Sequence, residues 1–239
     1  MFSALQNSFQ NLWLTALLAA WAGLLFGGFI FGRPDSENFR RMPGWTRLLS
    51  SLALVMAAWS WFIFLRETPL ELYTLLIALG MTLGFAGDLF MAANIVLGGI
   101  GSFGLGHVAY ILAMLQYEND RALVATTPRF GAWSIWVAIG LAGWYLAVFR
   151  GQKSGVLHWA ALPYATLLAS TAGVATGLAL QDGAFWSLAV GGALFLLSDL
   201  LIAANLFNGL RFRLLGDLIW LTYGPAQALI VFTTYFAMQ

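Results

Sequence analysis

The sequence predicts an all-α fold, a polytopic membrane bundle of about eight transmembrane helices, and three observations carry that expectation. Of its 239 residues, 61% are hydrophobic and 9% charged, against roughly 45–50% apolar and 25% charged in soluble domains. Mean hydropathy is +0.82. The chain divides at clusters of charge, proline and glycine into about eight runs, near 12–31, 47–65, 70–97, 100–117, 131–149, 155–180, 184–207 and 214–237, each able to supply the roughly 17–25 residues of a spanning helix. The longest connections are Gly32 to Thr46 and Glu118 to Phe130. Residues 1–239 are therefore expected to form a single integral membrane domain, with any chemistry inside the bundle or at its rim.

Taken in order, the first run lacks a basic segment before it and a small-x-small cleavage site after it, so it reads as a retained helix rather than a signal peptide. The second is bounded by charged connections. On the third, Gly80, Gly84, Asp88 and Ala92 share a face at i, i+4 spacing, and small residues there admit a close neighbour beside the carboxylate. Between the third and fourth runs, Gly98 to Gly106 reads as a tight hairpin; its Gly99-x-Gly101-x-x-Gly104 matches the dinucleotide fingerprint only formally, because no strand precedes it. That hairpin puts His107 about seven residues into the fourth run. The fifth is bounded by Arg150; the sixth begins at an interfacial His158 beside Trp159. The seventh carries Phe195 where the third carries Gly84. In the eighth, Asp217 suits the positive end of the helix dipole, and Gly224-Pro225 is a place for a local bend.

Loop charge orients the bundle. The first, third, fifth and seventh connections hold Arg33, Arg40, Arg41, Arg47, Arg150, Lys153, Arg211 and Arg213, and the others hold Arg66, Arg121 and Arg129. Both termini are then expected outside the cytoplasm, in a bacterial inner membrane. The third and seventh helices run parallel in that arrangement, as a 4+4 parallel repeat requires. A net charge of +1 offers no extended basic surface for nucleic acid, and the absence of cysteine excludes thiol and Fe–S chemistry.

Asp88-Leu89-Phe90-Met91-Ala92-Ala93-Asn94 and Asp199-Leu200-Leu201-Ile202-Ala203-Ala204-Asn205 repeat one pattern 111 positions apart. A carboxylate in hydrocarbon costs several kcal/mol, so intramembrane acids mark functional sites. Parallel repeats commonly place a site at their interface. Asp88 and Asp199 are thus expected at matched depth, about ten residues from the cytoplasmic helix ends, with His107, Tyr223 and Gln227 near that level and Asn94 and Asn205 closer to the headgroups. Two carboxyl groups that share a proton supply one general acid and one base or cation stabiliser. Such a pair suits hydrolysis through an oxocarbenium ion. The two acids and the imidazole also form a ligand count that suits a divalent ion, a reading ranked lower for want of further His or Cys.

Four motifs, Leu83-Gly84-Phe85-Ala86-Gly87-Asp88-Leu89-Phe90, Gly106-His107-x-x-Tyr110, Leu197-Ser198-Asp199-Leu200 and Tyr223-x-x-Ala226-Gln227, resemble the YhhN-type integral membrane family, which includes the lysoplasmalogenases. The resemblance covers the third to eighth helices. It implies about eight helices and hydrolysis of the vinyl ether bond of a lysoplasmalogen, a lysophospholipid drawn from the bilayer, to a fatty aldehyde and glycerophosphoethanolamine or glycerophosphocholine. Asp88, Asp199 and His107 are then the catalytic candidates. Asn94, Tyr110, Ser198, Asn205, Tyr223 and Gln227 are the substrate-binding candidates, with no cofactor and no metal. The rivals are a proton-coupled transporter using the same acids as a relay, a lipid-binding membrane protein, and an intramembrane aspartyl protease, whose Gly-x-Gly-Asp signature Ala86-Gly87-Asp88 approaches without a Pro-Ala-Leu partner.

Overall fold

The computed structural model describes residues 7–151 and 155–239, so Lys153 of the basic set lies outside the described residues. Eight long helices follow one another: α1 (Ser8–Phe31), α2 (Gly44–Phe64), α3 (Glu71–Ala92), α4 (Val96–Asp120), α5 (Thr126–Trp144), α6 (Val156–Ala179), α7 (Trp186–Asn208) and α8 (Leu215–Ala237). A π-helical turn, Tyr145–Phe149, prolongs α5, and a short 3-10 turn, Gly183–Phe185, leads into α7. All eight are long and apolar enough to cross a membrane. The chain is a multi-pass membrane protein. Its most central helix is α8, whose apolar window is 72% buried inside the bundle, against 17% for the α5 span; α5 therefore works mainly as a lipid-facing wall.

Neighbours recur four helices on. The pairs α1–α2, α2–α3, α3–α4 and α2–α8 have counterparts in α5–α6, α6–α7, α7–α8 and α6–α4, the arrangement a 4+4 repeat produces. The repeat is imperfect: α3 packs on α8, whereas the backbones of α4 and α7 stay apart. Close packing elsewhere depends on glycine. A side chain at Gly106 would meet the Gly80 carbonyl at 3.0 Å, and one at Gly87 would meet the Phe103 ring at 2.8 Å, so α3 and α4 can touch only because both positions lack a Cβ. Indole-to-hydroxyl bonds tie the outer helices inward, Trp13 to Ser60 at 2.9 Å, Trp59 to Thr82 at 3.0 Å and Trp136 to Thr176 at 2.9 Å.

The turn between α3 and α4 differs from the expected hairpin. It is confined to residues 93–95, where Asn94 adopts φ 59° and the Ile95 N–H closes back on the Phe90 carbonyl at 2.8 Å. Asn is among the few residues that enter the left-handed region at low cost. The run Gly98–Gly106 is consequently helical and used for packing, and α3 ends five residues earlier than its pattern suggests. Asp88 therefore lies four residues from the end of α3, Asp199 nine from the end of α7, and His107 eleven residues into α4 rather than seven.

The α1–α2 connection is stitched to the α7–α8 connection at the face of the bundle where the basic loops gather. Leu214 and Gly216 donate backbone N–H groups to the Asn38 and Phe39 carbonyls at 2.8 and 2.9 Å. Asp217 lies in the first turn of α8, where its position suggests a dipole role, and it also completes the seam. Its carboxylate accepts the Arg41 and Met42 N–H groups at 2.6 and 2.9 Å, so it clamps a loop far away in sequence to the first turn of α8. The Arg41 side chain in turn caps α1 through the Ile30 carbonyl at 3.0 Å.

Candidate functional site

Asp88 and Asp199 line one cavity of about 510 Å³ that lies beneath this seam. Each is held by a hydroxyl from the helix before its own. Ser51 of α2 donates to Asp88 at 2.6 Å, and the Tyr164 hydroxyl of α6 donates to Asp199. Because α2–α3 and α6–α7 are equivalent pairs, the hydroxyl–carboxyl unit is itself repeated. Ser51 sits seven residues into α2 and Tyr164 eight into α6.

On the Asp88 side α8 adds a second layer. The Gln227 amide donates to the Tyr223 hydroxyl at 2.6 Å, while its oxygen lies 3.5 Å from the Ser51 hydroxyl, whose proton goes to Asp88. With its oxygen accepting from Gln227, the Tyr223 hydroxyl keeps its own proton for Asp88, which it faces. Gln227 is 1% exposed, so this amide orients the site without lining it. Tyr164 is the side-chain donor to Asp199, and among the described residues no second layer of this kind stands behind it.

The cavity has two characters. Toward the basic loops it is polar, bordered by Arg40, Arg47, Asn94 and Asn205. Toward the gap between α4 and α7 it meets an apolar groove of about 90 Å³, lined by side chains such as Val96, Ile100, Trp144, Val148 and Leu168. Asp199, Met91, Phe103 and Ile202 border both spaces. Since α4 and α5 do not pack on each other, the groove lies behind a seam between two helices that face lipid.

Of the remaining expected residues Asn205 borders the cavity, whereas His107, Tyr110 and Ser198 lie away from it. His107, 1% exposed, is bonded through Nδ1 to Thr171 at 3.0 Å and packs on the Phe195 ring at 4.6 Å. Its greater depth in α4 puts it behind a wall of Phe103, Phe195 and Tyr223, whose rings meet edge to face at 5.0–6.2 Å. It is linked to Asp199 indirectly, by edge-on ring contact with Tyr164 at 6.2 Å. Tyr110 fills the notch opposite Gly80. Ser198 donates to the Ile219 carbonyl at 3.2 Å and clips α7 to α8. Asn205 borders the cavity while donating to the Leu210 carbonyl at 2.7 Å, so it also shapes the α7–α8 turn. Among the described residues no three His, Cys, Asp or Glu side chains converge as a metal site would need.

Ser51, Tyr164 and Arg47 are the site residues that sequence reasoning missed. Arg47 counts there only as a loop charge. Ser51 follows Ser50 in an otherwise apolar stretch, and Tyr164 follows the mid-helix Pro163; both are weak signals on their own.

The YhhN family model matches residues 45–234. The chain belongs to the YhhN family. The match begins at the start of α2, one helix earlier than the motifs reach, and so takes in Arg47 and Ser51 as well as the motif residues. It sets the chain among membrane proteins broadly linked to lysoplasmalogenase-like function. No curated protein and no solved structure matches the chain.

Proposed function

We infer that this YhhN protein is a lipid hydrolase that cleaves the vinyl ether bond of a lysoplasmalogen, releasing a fatty aldehyde and a glycerophospho-ethanolamine or glycerophosphocholine. The observation that carries the reading is the position of Asp199 where a polar cavity, lined also by Asp88, meets an apolar groove. In a single-chain ether lipid the bond to be broken is the one that joins head to tail. Family membership supports the same reaction class.

The chemistry follows from that placement. Asp199, at the mouth of the groove, protonates the alkenyl carbon one removed from the ether oxygen, and an oxocarbenium ion forms. Asp88, on the polar side, stabilises the cation and takes a proton from water as the water oxygen adds to it. The hemiacetal collapses as Asp88 returns that proton to the glycerol oxygen and the hemiacetal hydroxyl gives its own to Asp199, so the acid is restored, one water is consumed and one C–O bond broken. Tyr164 and Ser51 orient the two carboxyl groups, Tyr223 with Gln227 fixes Asp88, and Asn94 and Asn205 border the polar end. His107 acts through the Tyr164 ring, as a positioning residue. Tyr110 and Ser198 hold the surrounding helices. The basic face is cytoplasmic in this reading, which places the site in the inner leaflet of a bacterial inner membrane.

The test is mass spectrometry of lysoplasmalogen incubated with purified wild-type, Asp88→Asn and Asp199→Asn proteins. Wild type should yield aldehyde and glycerophosphodiester, and each near-isosteric variant should lose at least about 100-fold, the scale of a positioned acid or base. Full activity in either variant, or movement of intact lipid by wild type without product in proteoliposomes, would overturn the paired-acid hydrolase.

A further inference from the structure

One cation at the polar end of the cavity has no anionic partner within ion-pair distance among the described residues. Arg47, in the first turn of α2, borders the cavity with its guanidinium over the Trp220 ring at 5.3 Å. Its Nε is buried without a hydrogen bond, and among the described residues no carboxylate lies within ion-pair distance of it. The two acids within its electrostatic reach are Asp217 and Asp88. Asp217 is occupied by the Arg41 and Met42 N–H groups, and Asp88 by Ser51. A half-buried guanidinium with a free fork of donors is matched by an anion that accepts two parallel hydrogen bonds, a carboxylate or a phosphate. Arg40 borders the same space and is held only loosely, 3.8 Å from a half-exposed Asp35.

We propose that Arg47, with Arg40 at the rim, forms a phosphate-binding site at the polar end of the cavity, which seats the headgroup phosphate of a lysophospholipid. The lipid as source of the phosphate rests on the reading above; the anion site itself does not. Spacing on α2 supports the assignment. Arg47 is four residues before Ser51, one turn or ~6 Å along the same helix face, and Ser51 touches Asp88. A glycerol backbone spans a distance of that order between its ether oxygen and its phosphorus. With phosphate on Arg47, the ether oxygen falls at the level of the acids and the chain points into the groove. The site therefore does more than bind: it sets which bond reaches Asp199, and it selects lysophospholipids over neutral ether lipids.

The test uses probes that the acids cannot cleave. Binding of 1-O-alkyl-glycerophosphoethanolamine and of 1-O-alkylglycerol, which lacks phosphate, is measured on purified wild-type, Arg47→Gln and Arg40→Gln proteins. Wild type is expected to prefer the phosphorylated probe by about 10- to 100-fold, the scale of a charge-assisted hydrogen bond. Arg47→Gln should remove most of that preference while alkylglycerol affinity holds, and Arg40→Gln should reduce it several-fold. Unchanged preference in Arg47→Gln, or equal binding of both probes by wild type, overturns the proposal. If Arg47→Gln loses alkylglycerol binding as well and so is misfolded, Arg40→Gln decides: an undiminished preference overturns the site. Inorganic phosphate separates the sources. Should it displace the phosphorylated probe and stabilise wild type but not Arg47→Gln, free phosphate is also an occupant; if it does neither while the lipid preference stands, the occupant is the headgroup. Should neither lipid probe bind wild type, the lipid reading fails alone, and stabilisation by phosphate that depends on Arg47 supports the anion site while its absence overturns it. Loss of hydrolysis enters none of these outcomes.

Discussion

Replacing Tyr164 with phenylalanine removes one oxygen and leaves the ring that packs against His107. The oxygen lost is the side-chain donor to Asp199, for which the described residues supply no second layer from another helix. A hydrogen bond to a charged group is worth about 1.5–3 kcal/mol, and at 1.36 kcal/mol per tenfold its loss should slow turnover by roughly 10- to 150-fold. Ser51→Ala should cost less, because Asp88 keeps Tyr223, itself fixed by Gln227 at 2.6 Å. His107→Gln, which keeps both donors and removes the ring contact with Tyr164, should cost less than Tyr164→Phe and stay within several-fold of wild type. The assay is aldehyde formation against time on purified protein, with kcat and KM measured separately and folding checked by thermal unfolding. Loss should fall on kcat and kcat/KM alike, as for an interaction needed in the transition state. An unchanged kcat in Tyr164→Phe, or a larger loss in Ser51→Ala than in Tyr164→Phe, would refute the division of labour between the two acids.

Further expectations concern pH, the seam and orientation. Rate against pH should be bell-shaped, since the pair works only with one proton between them: at high pH the acid is lost, at low pH the base, and both limbs belong to the pair. A rate that only rises with pH would point instead to an ionising metal-bound water. Asp217→Asn keeps one acceptor but sets an amide N–H against a backbone N–H, so it should destabilise by about 1–3 kcal/mol; thermal unfolding and limited proteolysis of residues 33–43 would register this, and unchanged stability would remove the clamp. A cysteine placed at Ser36, in a chain with none of its own, should resist an impermeant thiol reagent in intact cells, and labelling there would invert the proposed orientation.

What could be read in advance follows from how visible each group is against its background. A carboxylate in an apolar helix stands out, so Asp88 and Asp199 are legible. Hydroxyls do not, because most in this bundle satisfy themselves on their own helix, as Thr82 does on Ala78 and Thr176 on Ala172 at 2.8 Å each. Nothing in the sequence tells that Ser51 and Tyr164 turn across to a neighbour instead. Glycine is ambiguous in the same way. A run such as Gly98–Gly106 serves a turn or a close helix contact equally well, and taking it for the turn raised His107 to the level of the acids. The real turn depended on one Asn with positive φ. Asp217 looked local because its partners, Arg41 and Met42, lie at the far end of the chain.

The recurrence of a hydroxyl–carboxyl unit in both halves bears on how such a site can arise. Two copies of one unit facing each other across a twofold axis would make two interchangeable acids, and interchangeable acids compete for the same proton without a settled donor. Breaking the degeneracy takes little when the frame is already duplicated. A serine on one side and a phenol on the other, with a helix contact present in only one half, give the twins different surroundings at almost no structural cost. Twofold frames of this kind are therefore ready starting points for acid–base chemistry: repetition supplies the pair, and small asymmetries assign the roles.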